Sequence, residues 1–287
     1  MVALPFRPHK ALVPDSRTAA FSGRAGDPRL GVPTISEDEL YILEGRGYEI
    51  HDGQRYDWEK DDLVVVHNDS VHRHFNADPA RRALALVIKA KATWMFLGLT
   101  QQGKIGRAPA PDAYGPREDW SQLWTPGVQQ RKKVVKPADT RWEITREGKV
   151  RILTSPQRTD VRVFSVDVHQ QEIPPGSRSA KHWHMADEAV YVMSGRGYSL
   201  HWDAETQIQD RYYARVAREP SRWDFQAGDL LYIPQNTIHQ HFNADPDRPL
   251  VFLSAQNRLF KLLGYDSVVY LEDAPEHTAL RQGVAAG

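Results

Sequence analysis

Three histidines and one glutamate stand at spacings that can bring them to one place. His182 and His184 are two residues apart, so in a strand both imidazoles leave the same face. Glu188 shares their parity and precedes an apolar run, Ala189 to Met193, that reads as strand. His239 comes later, after a turn signal at Ala227-Gly228-Asp229 and a Leu-Leu-Tyr-Ile run. Three imidazoles and one carboxylate from neighbouring strands suit a first-row divalent metal, with positions left open for substrate or oxygen. The chain has no cysteine, which argues against a soft-metal site and excludes a disulfide framework, a zinc ribbon and a thiol nucleophile.

Other residues are candidates by position. His241 shares the parity of His239 and is expected to face the same interior, as a proton shuttle or hydrogen-bond partner of substrate, or else as a packing histidine. Asn243 is expected to orient a ligand histidine or tie the strand. Arg178 and Lys181, just before the first ligands, could hold a substrate carboxylate or be ordinary surface charges. Gln235 and Asn236 lie beside His239 and are expected at the mouth of the site. Val190 and Val192 share the parity of Glu188 and are expected to line an apolar pocket suited to a small aromatic or unsaturated acid.

The elements that carry these residues occur twice. Asp38-Glu-Leu-Tyr-Ile-Leu-Glu-Gly45-Arg-Gly-Tyr-Glu-Ile-His51 matches Glu188-Ala-Val-Tyr-Val-Met-Ser-Gly195-Arg-Gly-Tyr-Ser-Leu-His201, 150 positions on. Asp61 to Pro79, with His72-Arg-His74-Phe-Asn76, matches Gly228 to Pro246, with His239-Gln-His241-Phe-Asn243, 167 positions on. The second copy therefore carries about seventeen extra residues between its motifs, roughly Trp202 to Arg222. A whole-domain repeat accounts for this. In the first copy Val32 and Thr34 stand for His182 and His184, Asp38 for Glu188, Asp61 for Gly228 and His67 for Pro234; only His72 matches a ligand. The first copy is expected to be metal-free and structural, the alternative being a weak site of His67, His72, His74 and Asp38.

The two motifs of the second copy resemble the signatures of the cupin superfamily. Gly-x5-His-x-His-x3-Glu-x6-Gly runs from Gly176 to Gly195. Gly-x5-Pro-x-Gly-x2-His-x3-Asn runs from Gly228 to Asn243, except that Asn236 replaces the second glycine. The resemblance implies an all-β chain of two tandem cupin barrels (double-stranded β-helix, or jelly roll), a bicupin, with His182, His184, Glu188 and His239 as metal ligands. The boundaries expected are an N-terminal arm over 1–30, a degenerate barrel over 31–100, a linker over 101–140, a metal-binding barrel over 141–270 and a frayed tail over 271–287. Within the linker, Arg131 to Lys133 reads as solvated surface; within the second barrel, Val161 to Ile173 reads as a strand.

The stretch Pro234-x4-His239-x-His241-x-Asn243 is similar to that of the bicupin dioxygenases that cleave the rings of gentisate, salicylate and 1-hydroxy-2-naphthoate. Those enzymes generally hold iron with three histidines, in the first barrel, whereas this chain adds Glu188 and has its full set in the second. What the resemblance implies is a non-haem Fe(II) dioxygenase that uses O2 to break a C–C bond of a small hydroxylated aromatic or enol-type acid. Glu188 either stays bound or acts as a base. The alternatives are an oxygen-independent decarboxylase, lyase or isomerase using Mn, Ni, Zn or Cu, and a non-catalytic small-molecule-binding cupin. A homodimer or higher homo-oligomer is expected, by the same resemblance.

Composition narrows the partners. Thirty-seven basic and thirty-seven acidic residues leave no net charge, and no helix-turn-helix is evident, so neither nucleic acid nor an anionic membrane is expected. The N-terminal residues lack a signal-peptide core, and with no cysteine a cytoplasmic location is the expectation.

Overall fold

The computed structural model describes residues 32–34, 37–51, 54–67, 70–90, 131–208, 212–265 and 267–285. The expected arm and most of the expected linker lie outside these residues. The chain divides into two compact units. The first holds the described residues up to Thr140 together with Thr154–Val166; the second holds Arg141–Leu153 and the residues from Asp167 on.

Strands dominate because short β-branched and aromatic runs alternate with Gly, Asp and Pro turns. The first unit contains β1 (Val32–Thr34), β2 (Asp38–Glu44), β3 (Arg46–His51), β4 (Gln54–Glu59), β5 (Leu63–Val66), β6 (Ser70–Asn76), β7 (Leu84–Ile88) and β8 (Val134–Val135). They form two sheets, in the orders β1-β6-β3-β4 and β7-β2-β5-β8. The second unit contains β9 (Glu143–Thr145), β10 (Gly148–Thr154), β11 (Val166–Ile173), β12 (Lys181–Trp183), β13 (Glu188–Ser194), β14 (Arg196–Trp202), β15 (Ala204–Ile208), β16 (Tyr212–Val216), β17 (Ser221–Gln226), β18 (Leu230–Ile233), β19 (Ile238–Asn243), β20 (Leu250–Asn257) and β21 (Val269–Glu272). Its main sheets run β18-β13-β20-β11-β10-β9 and β17-β14-β19-β12-β21. The fold is all-β apart from short helical pieces such as Leu259–Leu262 and Pro275–Ala285, and among the described residues no helix is long and apolar enough to cross a membrane.

The repeat seen in the text is a repeat of register. In the first unit β2 pairs with β7 as Leu40 to Val87, with a shift between Ile42 and Glu44. In the second, β13 pairs with β20 as Val190 to Ser254, with the shift between Val192 and Ser194. Likewise His51 faces His72 across β3–β6, and His201 faces His239 across β14–β19. The cores occupy matching positions: Leu40, Ile42, Trp58, Val66 and Ala85 in one unit, Val190, Val192, Phe225, Ile233 and Phe252 in the other. Gly45 and Gly195 both take positive φ, and a Cβ there would come within 2.9 Å of Ala83 Cα or Leu250 Cα. That contact with backbone is why both copies keep glycine. The extra residues of the second copy form the hairpin β15–β16.

Several boundaries differ from expectation. The linker's last residues are part of the first unit, because Val134 and Val135 add a strand to the fully buried β5. Lys133 is not a solvated surface charge; its ammonium lies 3.0 Å from His67 Nδ1. The strand expected from Val161 begins only at Val166. Residues 158–162 turn instead, with Arg162 at φ 57°, and Val161 O accepts a bond from His67 Nε2 at 2.7 Å. The tail expected to fray from residue 271 is ordered: its first residues complete the strand Val269–Glu272, which pairs with β12, and Pro275–Ala285 is helical.

Asn243 ties the second unit together. Its Nδ2 donates to Ile173 O (3.0 Å), Pro174 O (3.1 Å) and Arg248 O (2.8 Å), and its Oδ1 accepts from Asp245 N (2.9 Å). Asn76 repeats the role, with Arg81 O and Asp78 N. Asn243→Ala is expected to cost about 1–3 kcal/mol for each buried group left unpaired. Urea unfolding monitored by circular dichroism would read this; an unchanged midpoint would show that water replaces the amide.

Candidate metal centre

Strand alternation delivers the four residues singled out by spacing. On β12, His182 is buried between half-exposed Lys181 and Trp183. On β13, Glu188, Val190 and Val192 are buried while their neighbours are half-exposed. His182 lies directly opposite His239 across β12–β19. His182, His184 and His239 offer ring nitrogens that all lie within 4.8 Å of one another, the one such grouping of potential metal ligands among the described residues. Glu188 Oε2 is 3.0 Å from His184 Nε2 and 3.7 Å from His239 Nε2.

Each imidazole is oriented from behind. Nδ1 of His184 lies 2.8 Å from Ala186 O, Nδ1 of His239 lies 2.9 Å from Thr237 O, and Nδ1 of His182 lies 3.4 Å from Ala180 O. A carbonyl can only accept, so these contacts place a proton on Nδ1 of each ring; Nε2 is then the lone pair of the neutral imidazole, and on His184 it is the nitrogen facing Glu188 Oε2, where the carboxylate favours a second proton in the metal-free protein. His239 Nε2 is buried and has no hydrogen-bond partner among the described residues. Converging Nε2 lone pairs, with their Nδ1 protons fixed by carbonyls, are the arrangement a divalent transition metal takes.

The charges are set by burial and by one another. Burial, then neighbouring His184, pushes His182 down to about 3. Burial with His182 and His184 holds His239 well below its ordinary value. Burial, then His239, takes His241 to about 3. His184 moves the other way, since the hydrogen bond and charge of Glu188 outweigh its burial. Burial alone would raise Glu188, but His184 and His239 hold it well below the usual carboxylate range.

The remaining candidates separate. His241 is interior, its ring 5.5 Å from that of His239 and edge-on to Phe252 at 5.1 Å, and its Nδ1 has no hydrogen-bond partner. Arg178 and Lys181 do not face the imidazoles. Lys181 alternates with His182, so its ammonium sits over the Trp202 ring at 3.8 Å. Arg178 bridges to Phe242, whose ring stacks on Tyr198 away from the interior, and its guanidinium is 3.6 Å from Glu272. Proximity in sequence suggested both, but the strand's two faces separate them from the ligands. Gln235 is exposed. Asn236 takes φ 62°, which asparagine tolerates, so it can stand in for the glycine of the motif. Its N–H donates to His184 O at 3.1 Å, and its buried Oδ1 has no hydrogen-bond partner. Val190 and Val192 pack with Ile173, Phe225 and Phe252 in the core of the unit.

The sequence reading passed over four contributors. Ser254 Oγ donates to Glu188 Oε1, and Gln256 Nε2 is 3.3 Å from both Glu188 Oε2 and His184 Nε2. Their alternation on the return strand, in phase with Phe252, was the available signal. Tyr270, the last residue of the expected barrel, lies 5.6 Å from His182 ring to ring. His201, opposite His239, is buried with Nε2 lacking a hydrogen-bond partner. In the first unit the equivalents differ: Asp38 pairs with Lys89 at 2.7 Å, and both ring nitrogens of His67 are engaged.

Residues 169–255 match the family model described as "Cupin domain". The second unit carries a cupin domain. The fold of the chain is similar to that of salicylate 1,2-dioxygenase from Pseudaminobacter salicylatoxidans, at TM-score 0.59 and 10% identity, covering 84% of this chain and 70% of that one. It is also similar to a variant of Bacillus subtilis oxalate decarboxylase OxdC, at TM-score 0.52 and 16% identity, covering 85% and 67%. Comparison with curated proteins gives no match. The bicupin resemblance thus holds at the level of fold.

The neutral buried histidines make the metal-free protein sensitive to acid. Below pH 6.5 the unfolded chain binds protons that His182 and His241 refuse until about pH 3, so stability is full above 6.5 and falls as pH drops through that window. The expected slope is about 1.4 kcal/mol per pH unit for each group. Urea unfolding of metal-free protein at pH 7.5 and 5.0 measures it; equal stabilities would mean that these imidazoles are solvated.

Proposed function

We propose that the second unit is a mononuclear metal centre with His182, His184, His239 and Glu188 as ligands, and that the chain is a non-haem Fe(II) dioxygenase acting on a small hydroxylated aromatic or enol-type acid. The observation that carries the metal reading is the convergence of three buried, carbonyl-oriented imidazoles on one point beside an ionised carboxylate. Support for the reaction comes from likeness of fold to an enzyme named as a salicylate 1,2-dioxygenase. Fe(II) held by these residues would supply a Lewis acid and redox centre for substrate oxygen atoms and O2.

The protein's own part is to orient and exclude water. Phe252 and Phe225 flank His241 and keep that end of the interior apolar. His241, neutral at working pH, is the proposed carrier of a proton to or from substrate. Asn236 Oδ1 is the proposed polar contact for a substrate hydroxyl.

One observation favours a second reading. Glu188 gives the set a carboxylate, and the chain's fold also resembles an oxalate decarboxylase. An oxygen-independent decarboxylase using manganese would employ the same four ligands.

Two measurements test these readings. Elemental analysis of purified protein should find about one metal per chain, lost in His182→Ala; no metal, even after anaerobic Fe(II) loading, would remove both. Oxygen uptake with a panel of hydroxylated aromatic and enol-type acids then separates them, since turnover without oxygen would select the decarboxylase. His241→Gln should retain the metal and lower kcat by about 100-fold or more. A kcat within twofold of wild type would return His241 to a packing role.

A further inference from the structure

A buried carboxylate must be held, and what holds it decides which cation it can take. The β13–β20 register puts Glu188 opposite Gln256 and Val190 opposite Ser254. Ser254, fully buried, donates its hydroxyl to Glu188 Oε1. Gln256 Nε2 lies 3.3 Å from Oε2 and 3.3 Å from His184 Nε2. Oε1 is thereby occupied from the β20 side, and Oε2 is the oxygen turned toward the imidazoles, 3.0 Å from His184 and 3.7 Å from His239. Both holders are uncharged. They fix the carboxylate without cancelling its charge.

The first unit supplies the contrast within one chain. Its β2–β7 pairing has the same register and the same shift as β13–β20. Leu40 pairs with Val87 where Val190 pairs with Ser254, so Val87 stands for Ser254 and Lys89 for Gln256. Lys89 Nζ lies 2.7 Å from Asp38 Oδ2. In that unit the carboxylate is answered by a fixed ammonium from the neighbouring strand, and the position that would hold it for a metal carries a cation instead.

Resting on the metal reading above, we infer that Ser254 and Gln256 are positioning residues that present Glu188 Oε2 to the metal, and that residue 256 must be uncharged for Glu188 to serve as a ligand. A neutral amide there leaves the negative charge available to a divalent ion. A lysine neutralises it and adds a repelling charge a few ångströms from the imidazoles.

The test uses the full chain, freed of metal and titrated with Co(II) against a competing chelator. The visible Co(II) bands report coordination independently of activity. Wild type is expected to bind about one ion per chain. Gln256→Lys should remain folded by circular dichroism and bind about 100-fold more weakly or not at all. Ser254→Ala, which removes a single oxygen, should bind about tenfold more weakly with shifted Co(II) bands, because the freed carboxylate changes its mode of contact. Wild-type affinity in Gln256→Lys overturns the assignment of residue 256. Should that variant not fold, Ser254→Ala decides: affinity within twofold and unshifted bands overturn the positioning role. A wild-type chain that binds no Co(II) overturns the metal reading itself, and the inference with it.

Discussion

The site depends on a single row of paired residues. Across β14, β19 and β12, His201 stands opposite His239 and His239 opposite His182. Because side chains alternate along a strand, this register puts all three rings on the interior face, and a slip of one residue would send them outward together. The rest of the unit reads as means of holding that register. Gly197 allows β19 to approach β14, where a Cβ would meet Phe242 O at 2.0 Å. Asn243 pins the end of β19 to the turn after β11. The last strand, β21, closes the open edge of β12 with Tyr270 opposite His182.

That geometry gathers charge in a place where charge is costly, and the two units meet the cost differently. Burying a lone carboxylate is unfavourable by several kcal/mol unless it is paired. The second unit sets Glu188 against His184, whose protonated form it favours, and surrounds both with neutral donors. This is a compensation that a divalent ion can displace, since the proton on His184 can leave while the lone pairs stay aimed. The first unit uses Asp38 with Lys89, a compensation built from two fixed side chains. The backbone has been kept almost residue for residue while the electrostatics of the interior have been replaced.

Much of this was legible in the sequence because it follows from periods and spacings. The parity of His182, His184 and Glu188, and the repeated Gly45-Arg-Gly and Gly195-Arg-Gly turns, are local signals whose meaning survives folding. Matching cores followed from the same alignment. What stayed hidden depends on partners distant along the chain. Arg178 and Lys181 looked like site residues by proximity, but which face they take is set by Phe242 and Trp202. Ser254 and Gln256 looked like ordinary polar residues until the register put them against Glu188. Tyr270 lay at the border of the expected tail, and only the pairing of its strand with β12 places it opposite His182. Residues 154–166 belong to the first unit through contacts that no local pattern writes, such as Glu37 Oε2 accepting from the Phe164 and Ser165 amides.

The charge of the ligand set bears on substrate class. On the proposed reading, three neutral imidazoles, one carboxylate and a divalent ion sum to a single positive charge, whereas three imidazoles alone would leave two. Arg178 and Lys181 face away and add nothing. A centre with one net positive charge in an apolar interior suits a ligand that binds as a monoanion, such as a carboxylate or an enolate. A dianion that chelates through carboxylate and phenolate together would leave an uncompensated negative charge, unless Glu188 were to take up a proton or leave. With Oε1 held by Ser254 and Oε2 facing His184 and His239, departure would break several hydrogen bonds at once. On the proposed reading the clamp on Glu188 would therefore keep the net charge of the centre at one, so that a hydroxylated aromatic or enol-type acid would bind as a monoanion with its hydroxyl still protonated.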